Sequence, residues 1–163
     1  MAEFSYLKYM PSMIKSIQRG VTTTPNSGSA QAATIAEVDT EKAVPLWHTF
    51  RGTDPIDTSR VRVELASPTS LEVSGRHSDA KVWRGVTVYW SVVEFNQVKS
   101  IQTGRGNGII NLSPINIEKA FPLILGCDFA EGSSVVGITS LTTDTITTNG
   151  PSHSIAWAVI EFY

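Results

Sequence analysis

Cysteine is nearly absent from this chain. One residue, Cys127, stands among 163, which excludes an intrachain disulfide and any zinc cluster built on cysteine thiolates. A lone cysteine of this kind reads as a small buried apolar side chain. Charge is also scarce: charged residues make up 17% of the chain, and 13 Lys and Arg against 15 Asp and Glu leave a formal charge of −2. No basic run occurs, so binding to nucleic acid through phosphates is not expected. Apolar runs such as Ala120–Cys127 are far too short to cross a bilayer. The N-terminus lacks a basic segment followed by an apolar stretch, so neither a signal peptide nor a membrane partner is expected. At 41% hydrophobic residues the chain is nevertheless rich enough to bury a core.

Catalytic and metal constellations are missing as well. His48, His77 and His153 stand in no ligand spacing such as HExxH. Asp54 and Asp57 are too few for calcium, which takes roughly 6–8 oxygen ligands. Asp39, Glu41 and Glu118 read as solvated turn charges. Gly104-Arg-Gly-Asn-Gly108 opens no helix, so it reads as a flexible β-turn and not a phosphate loop. Glu94 and Glu161 sit near strand ends, where a charge is expected to reach water. No catalytic residue, metal or cofactor is assigned, and no enzyme activity is expected.

An internal repeat is present. Ile14-Lys-Ser-Ile-Gln-Arg-Gly20 recurs as Val98-Lys-Ser-Ile-Gln-Thr-Gly104. Ile35-Ala-Glu-Val-Asp-Thr-Glu-Lys-Ala-Val-Pro-Leu46 recurs as Leu112-Ser-Pro-Ile-Asn-Ile-Glu-Lys-Ala-Phe-Pro-Leu123. Val61–Leu65 and Thr69–Val73 are echoed by Val136–Ser140 and Asp144–Thr148, and Val88–Phe95 by Ile155–Phe162. The offsets between the copies shrink along the chain, 84, 77, 75 and then 67, so each deletion falls between matched blocks, where loops absorb length change. The division expected is an arm over residues 1–13, a first repeat over 14–97 and a second over 98–163.

Each block has the pattern of a strand. Val61, Val63 and Leu65 alternate with Arg62 and Glu64, and Leu71 and Val73 continue after a Ser-Pro-Thr turn. Val88–Phe95 is apolar on both faces, as a central strand is. Pro45 and Pro122 mean that their strands begin at an edge or that the proline stands among the strand's first residues, since proline cannot donate to a ladder. Helical periodicity is absent. Trp90 and Trp157 share a repeat position and read as core, as does Trp47, aligned with Ile124. The fold class is all-β, two tandem antiparallel β-sandwich repeats with a short N-terminal arm. The first repeat inserts residues 78–85 before its last strand, which reads as a longer loop.

The series Ile-Gln-x-Gly, Glu-Lys-Ala-Phe-Pro-Leu and Ile-Ala-Trp-Ala-Val-Ile-Glu-Phe resembles β-sandwich repeats in structural proteins of tailed bacteriophages. Its ending is similar to the last strand of H-type lectin-like domains, which occur on phage tails. The resemblance implies a virion component, made in the host cytoplasm. Its partners would be other virion proteins and copies of itself, as a trimer or higher oligomer. The alternative is a lectin-like module for a host-surface glycan. Candidate contact residues are Trp83, Arg84 and Lys81 in the insertion, and Phe4, Tyr6 and Tyr9 in the arm, because aromatics supply much of the contact area at interfaces and sugar sites.

Overall fold

A computed structural model describes residues 13–27, 29–51, 58–79, 82–129, 137–149 and 155–163. The first repeat contributes β1 (Ile14–Thr23), β2 (Gln31–Thr34), β3 (Ala43–Arg51), β4 (Thr58–Ser67), β5 (Ser70–Asp79), β6 (Val82–Arg84) and β7 (Thr87–Phe95). The second contributes β8 (Ser100–Gly106), β9 (Ile109–Asn111), β10 (Ala120–Phe129), β11 (Gly137–Leu141), β12 (Thr145–Asn149) and β13 (Ile155–Glu161). Among the described residues the helical content is one 3-10 turn at Ile117–Lys119. The fold class is thus all-β with antiparallel sheets.

The strand order repeats with the sequence. In the first repeat β7 lies between β1 and β3, and β5 between β2 and β4. In the second, β13 lies between β8 and β10, and β12 between β9 and β11. Even an irregularity recurs: the β3–β7 ladder shifts register between Trp47 and Thr49, and the β10–β13 ladder between Ile124 and Gly126, the matching positions. Proline obeys its constraint in both copies. Among the described residues β3 pairs with β7 alone, and β10 meets β4 only over Gly126–Phe129, so Pro45 and Pro122 face no second strand there.

The two repeats share a sheet. β4 of the first pairs with the end of β10, Gly126 opposite Arg62, and fuses β2-β5-β4 with β10-β13-β8. A Cβ on Gly126 would lie 2.6 Å from the carbonyl oxygen of Val61, so only glycine admits this approach. The matching residue of the first repeat is Thr49, and among the described residues its strand has no such neighbour.

Among the described residues three apolar clusters form the core. The first packs Val88, Trp90 and Val92 of β7 on Val61, Val63, Leu71 and Val73. The second packs Ile155, Trp157 and Val159 of β13 around Ile146, with Cys127 buried among them. Trp47 is half-buried and packs against both. The third is the seam between repeats, where Val44 and Leu46 of β3 meet Leu123, Leu125, Ala156, Ala158 and Ile160. β13 is therefore buried on both faces.

The insertion departs from its reading as a loop. β5 continues to Asp79, and β6 pairs back on it with Trp83 opposite Ser78. Extra residues that can exchange backbone hydrogen bonds with an open edge lengthen the sheet and do not hang free. Gly104 and Gly106 also belong to strand β8 and not to a turn; the left-handed residue there is Gly108, at φ 76°.

The matched tryptophans differ in one respect. Trp90 Nε1–H donates to Thr22 Oγ1 at 2.9 Å, whereas the indole N–H of Trp157 has no partner among the described residues. The residue matching Thr22 is Gly106, where a Cβ would collide with the Ile110 side chain. Thr22→Val is expected to cost about 1 kcal/mol by orphaning the Trp90 indole. Denaturant unfolding followed by tryptophan fluorescence measures this cost, and no loss would mean that the bond is energetically silent.

Candidate functional site

The most polar buried chemistry in the described residues is a pair of matching carboxylate clamps. Glu94 and Glu161 have side chains only 2% exposed, which corrects the expectation that they reach water. Lys15 Nζ donates to Glu94 Oε1 at 2.8 Å, Ser16 Oγ to Oε2 at 3.0 Å and the Asp39 N–H to Oε1 at 3.0 Å. In the second repeat Lys99 Nζ donates to Glu161 Oε1 at 2.8 Å, Ser100 Oγ to Oε2 at 3.2 Å and the Asn116 N–H to Oε1 at 2.8 Å. Each carboxylate accepts two donors from the Lys-Ser motif of its own repeat and a third from the following block, and so ties three segments together.

The rest of the motif is explained in the same way. Gln18 closes a two-way bond with the backbone of Ala36, donating to its carbonyl at 2.9 Å and accepting from its N–H at 2.7 Å. Gln102 does the same with Ser113 at 2.9 and 2.8 Å. Glycine ends the motif because the indole of Trp90 or Trp157 lies across it; a Cβ on Gly104 would come within 2.7 Å of Trp157 Cζ2. Asp39 and Asn116 each also accept from the N–H two residues on, at 3.1 and 3.0 Å, which organises the turn.

Burial alone would push the Glu94 carboxyl up. The hydrogen bonds from Asp39, Lys15 and Ser16 and the charge of Lys15 outweigh it and hold the group below its ordinary value. Glu161 is lowered by its hydrogen bonds from Lys99, Asn116 and Ser100, against the effect of burial. Lys15 is raised by its hydrogen bond to Glu94 and by that carboxylate's charge. Each clamp is thus held ionised, with every oxygen occupied. With both oxygens engaged and the side chain out of reach of solvent, the group acts as a tie between segments.

Two surface features remain. A cleft of about 390 Å³ opens at the seam, lined from both repeats by residues that include Ala43, Pro45, Thr103 and Leu125. Arg105 and Glu64 also line it and form a forked ion pair that links β8 to β4. The second feature is an apolar strip on the outer face of β1 and β7, where Ile17 is 40% exposed, Val21 55% and Tyr89 42%. Among the described residues β1 is the outermost strand of its sheet.

The residues singled out from the sequence fall elsewhere. Phe4, Tyr6, Tyr9 and Lys81 lie outside the described residues, as do Asp54, Asp57 and His153. The backbone of Trp83 and Arg84 is in β6, beside β5 and not in a loop. His48 is described, and its Nε2 shares a hydrogen bond with Ser91 Oγ at 2.8 Å. Among the described residues no group of three His, Cys, Asp or Glu side chains converges to hold a metal ion, and no helix is long and apolar enough to cross a membrane. The strip went unread because its members are ordinary strand residues. Its signal was the difference between copies: Val21 and Tyr89 stand where the second repeat has Arg105 and Ala156. No protein-family model, curated protein or solved structure matches the chain.

Proposed function

We propose that the protein is a non-enzymatic structural component of a tailed-phage particle, placed on the tail, collar, baseplate or capsid surface. It works through contacts with other virion proteins and with copies of itself. The observation that carries this reading is the exposed apolar strip of Ile17, Val21 and Tyr89 on β1 and β7, β1 being the outermost strand of its sheet among the described residues. Adjacent apolar side chains on a strand edge favour a protein partner over water. The clamps support the same reading, since they spend the buried ionisable groups on holding the sandwich. Quantitative mass spectrometry of gradient-purified particles is the test. The protein is expected at a fixed copy number per particle; its presence in the lysate alone, with none on particles, would contradict the proposal.

One observation favours a second reading, recognition of a host glycan. The seam cleft combines the Arg105–Glu64 fork with Thr40 and Thr103 over an apolar floor, the mixture of polar and apolar groups that a sugar ring meets. Glycan-array binding that disappears with Arg105→Ala would favour this reading over the first.

A further inference from the structure

We infer that the outer face of β1 and β7 is the surface on which a second copy of this chain docks. This inference rests on the assembly reading and names the partner of that strip.

The argument starts from the pairing rows. Val93 lies opposite Ile17 on one side and Val44 on the other, so Ile17, Val93 and Val44 form one row across the sheet. Val21 lies opposite Tyr89 two rows on, with the same face outward. Val44 is buried in the seam between the repeats, Val93 is half-buried and Ile17 is exposed. The strip is therefore a continuation of an interface that already exists in the chain.

The second repeat shows what covers this face. Its matching row is Ile101, Ile160 and Phe121, and the next is Thr103, Ala158 and Leu123. Ile160, Ala158 and Ala156 are all buried there, under Val44 and Leu46 of the first repeat. One copy of the sandwich thus seats on this face of another. In the first repeat the cover ends at β3, and Tyr89 and Ser91 replace the two alanines. A second chain presents the same kind of surface and is the occupant that the fold itself exemplifies. Arg19 shares the strip, and a side chain of this type can cover apolar surface with its stem while its head stays in water.

The strip is short against the ~1,000 Å² that a stable dimer buries, so the contact is weak in dilution and gains strength when many copies sit on one scaffold. Sedimentation velocity on the full chain, over a series reaching ~1 mM, is the test. The wild type is expected to self-associate with rising concentration. Ile17→Lys with Val21→Lys is expected to stay monomeric at an unchanged melting temperature, because both side chains are exposed. Val21→Cys is expected to give a disulfide-linked dimer on oxidation. Three results would overturn the inference: a wild type that is monomeric throughout, a lysine variant that associates as well as the wild type, or association gained only when residues 1–12 are removed, which would make the chain's own N-terminal segment the cover. If monomeric wild type still enters particles, the assembly reading stands and this inference falls.

Discussion

Glu94→Gln and Glu161→Gln are each expected to lower folding stability by about 2 kcal/mol, the loss of a set of hydrogen bonds to a charged acceptor. Glutamine keeps the shape, so packing is preserved, while the charge and one of the two acceptor oxygens are removed. Lys15 and Lys99 then lose a carboxylate at 2.8 Å, and the backbone N–H groups of Asp39 and Asn116 lose a charged acceptor. The pH dependence distinguishes this account from simple surface pairing, which is worth little. Both carboxyls are held below their ordinary value of 4.5, so the folded state binds fewer protons than the unfolded chain in that region. Their stabilisation is complete above that value and disappears as pH falls through the lowered folded values. The wild type is therefore expected to lose stability steeply below about pH 4.5. The double glutamine variant is expected to lose distinctly less over the same interval. Urea unfolding at a series of acidic pH values measures both slopes, and parallel curves for the two proteins would refute the clamp account.

Gly20→Val and Gly104→Val are expected to destabilise by about 3 kcal/mol each, the upper part of the range for overpacking a close-packed core. A Cβ at Gly104 would already stand 2.7 Å from Trp157 Cζ2, and at Gly20 the clash with Trp90 is closer still. Neither ring has room to retreat. Trp90 is tethered to Thr22 at 2.9 Å, and Trp157 is buried among Leu112, Ile146, Ile155 and Val159. In a domain of this size such a loss lowers the melting temperature by roughly 6–12 °C. Trp157→Phe in the Gly104→Ala background is expected to recover part of the loss, because it removes the ring edge that the new methyl meets. Gly108 is the contrasting position: it adopts φ 76° with no atom within 4 Å of a Cβ, so Asn is expected to be tolerated there. Thermal melts by circular dichroism would settle the point, and a Gly104→Val protein as stable as the wild type would contradict the packing described.

Much of the architecture was legible in the sequence, for a physical reason. Val61, Val63, Leu71 and Val73 alternate with polar neighbours because the opposite face of each strand lies outside this core, and Val88–Phe95 carries apolar residues on both faces because β7 is central. The duplication doubled each signal. The roles of Lys15, Ser16, Gln18 and Gly20 were less legible, although the motif that carries them appears twice. A polar residue in a strand is usually solvated, and the partner of Lys15 lies 79 positions away. Glu94 and Glu161 were misread for the same reason: position near a strand end says nothing about which turn folds over it. β6 was misread because an insertion with no counterpart has no period to test. The seam had a signal in Ala156 and Ala158, small residues where the first repeat has Tyr89 and Ser91, but only the packing of β3 on β13 shows what those alanines face.

A cryo-EM map of intact phage particles made with an epitope-tagged copy of this chain tests the central claim most directly. The account predicts twin sandwiches in symmetry-related positions on the particle, with Ile17, Val21 and Tyr89 against a neighbouring protein. Particles that assemble without density for the protein, or that leave this face open to solvent, would contradict it.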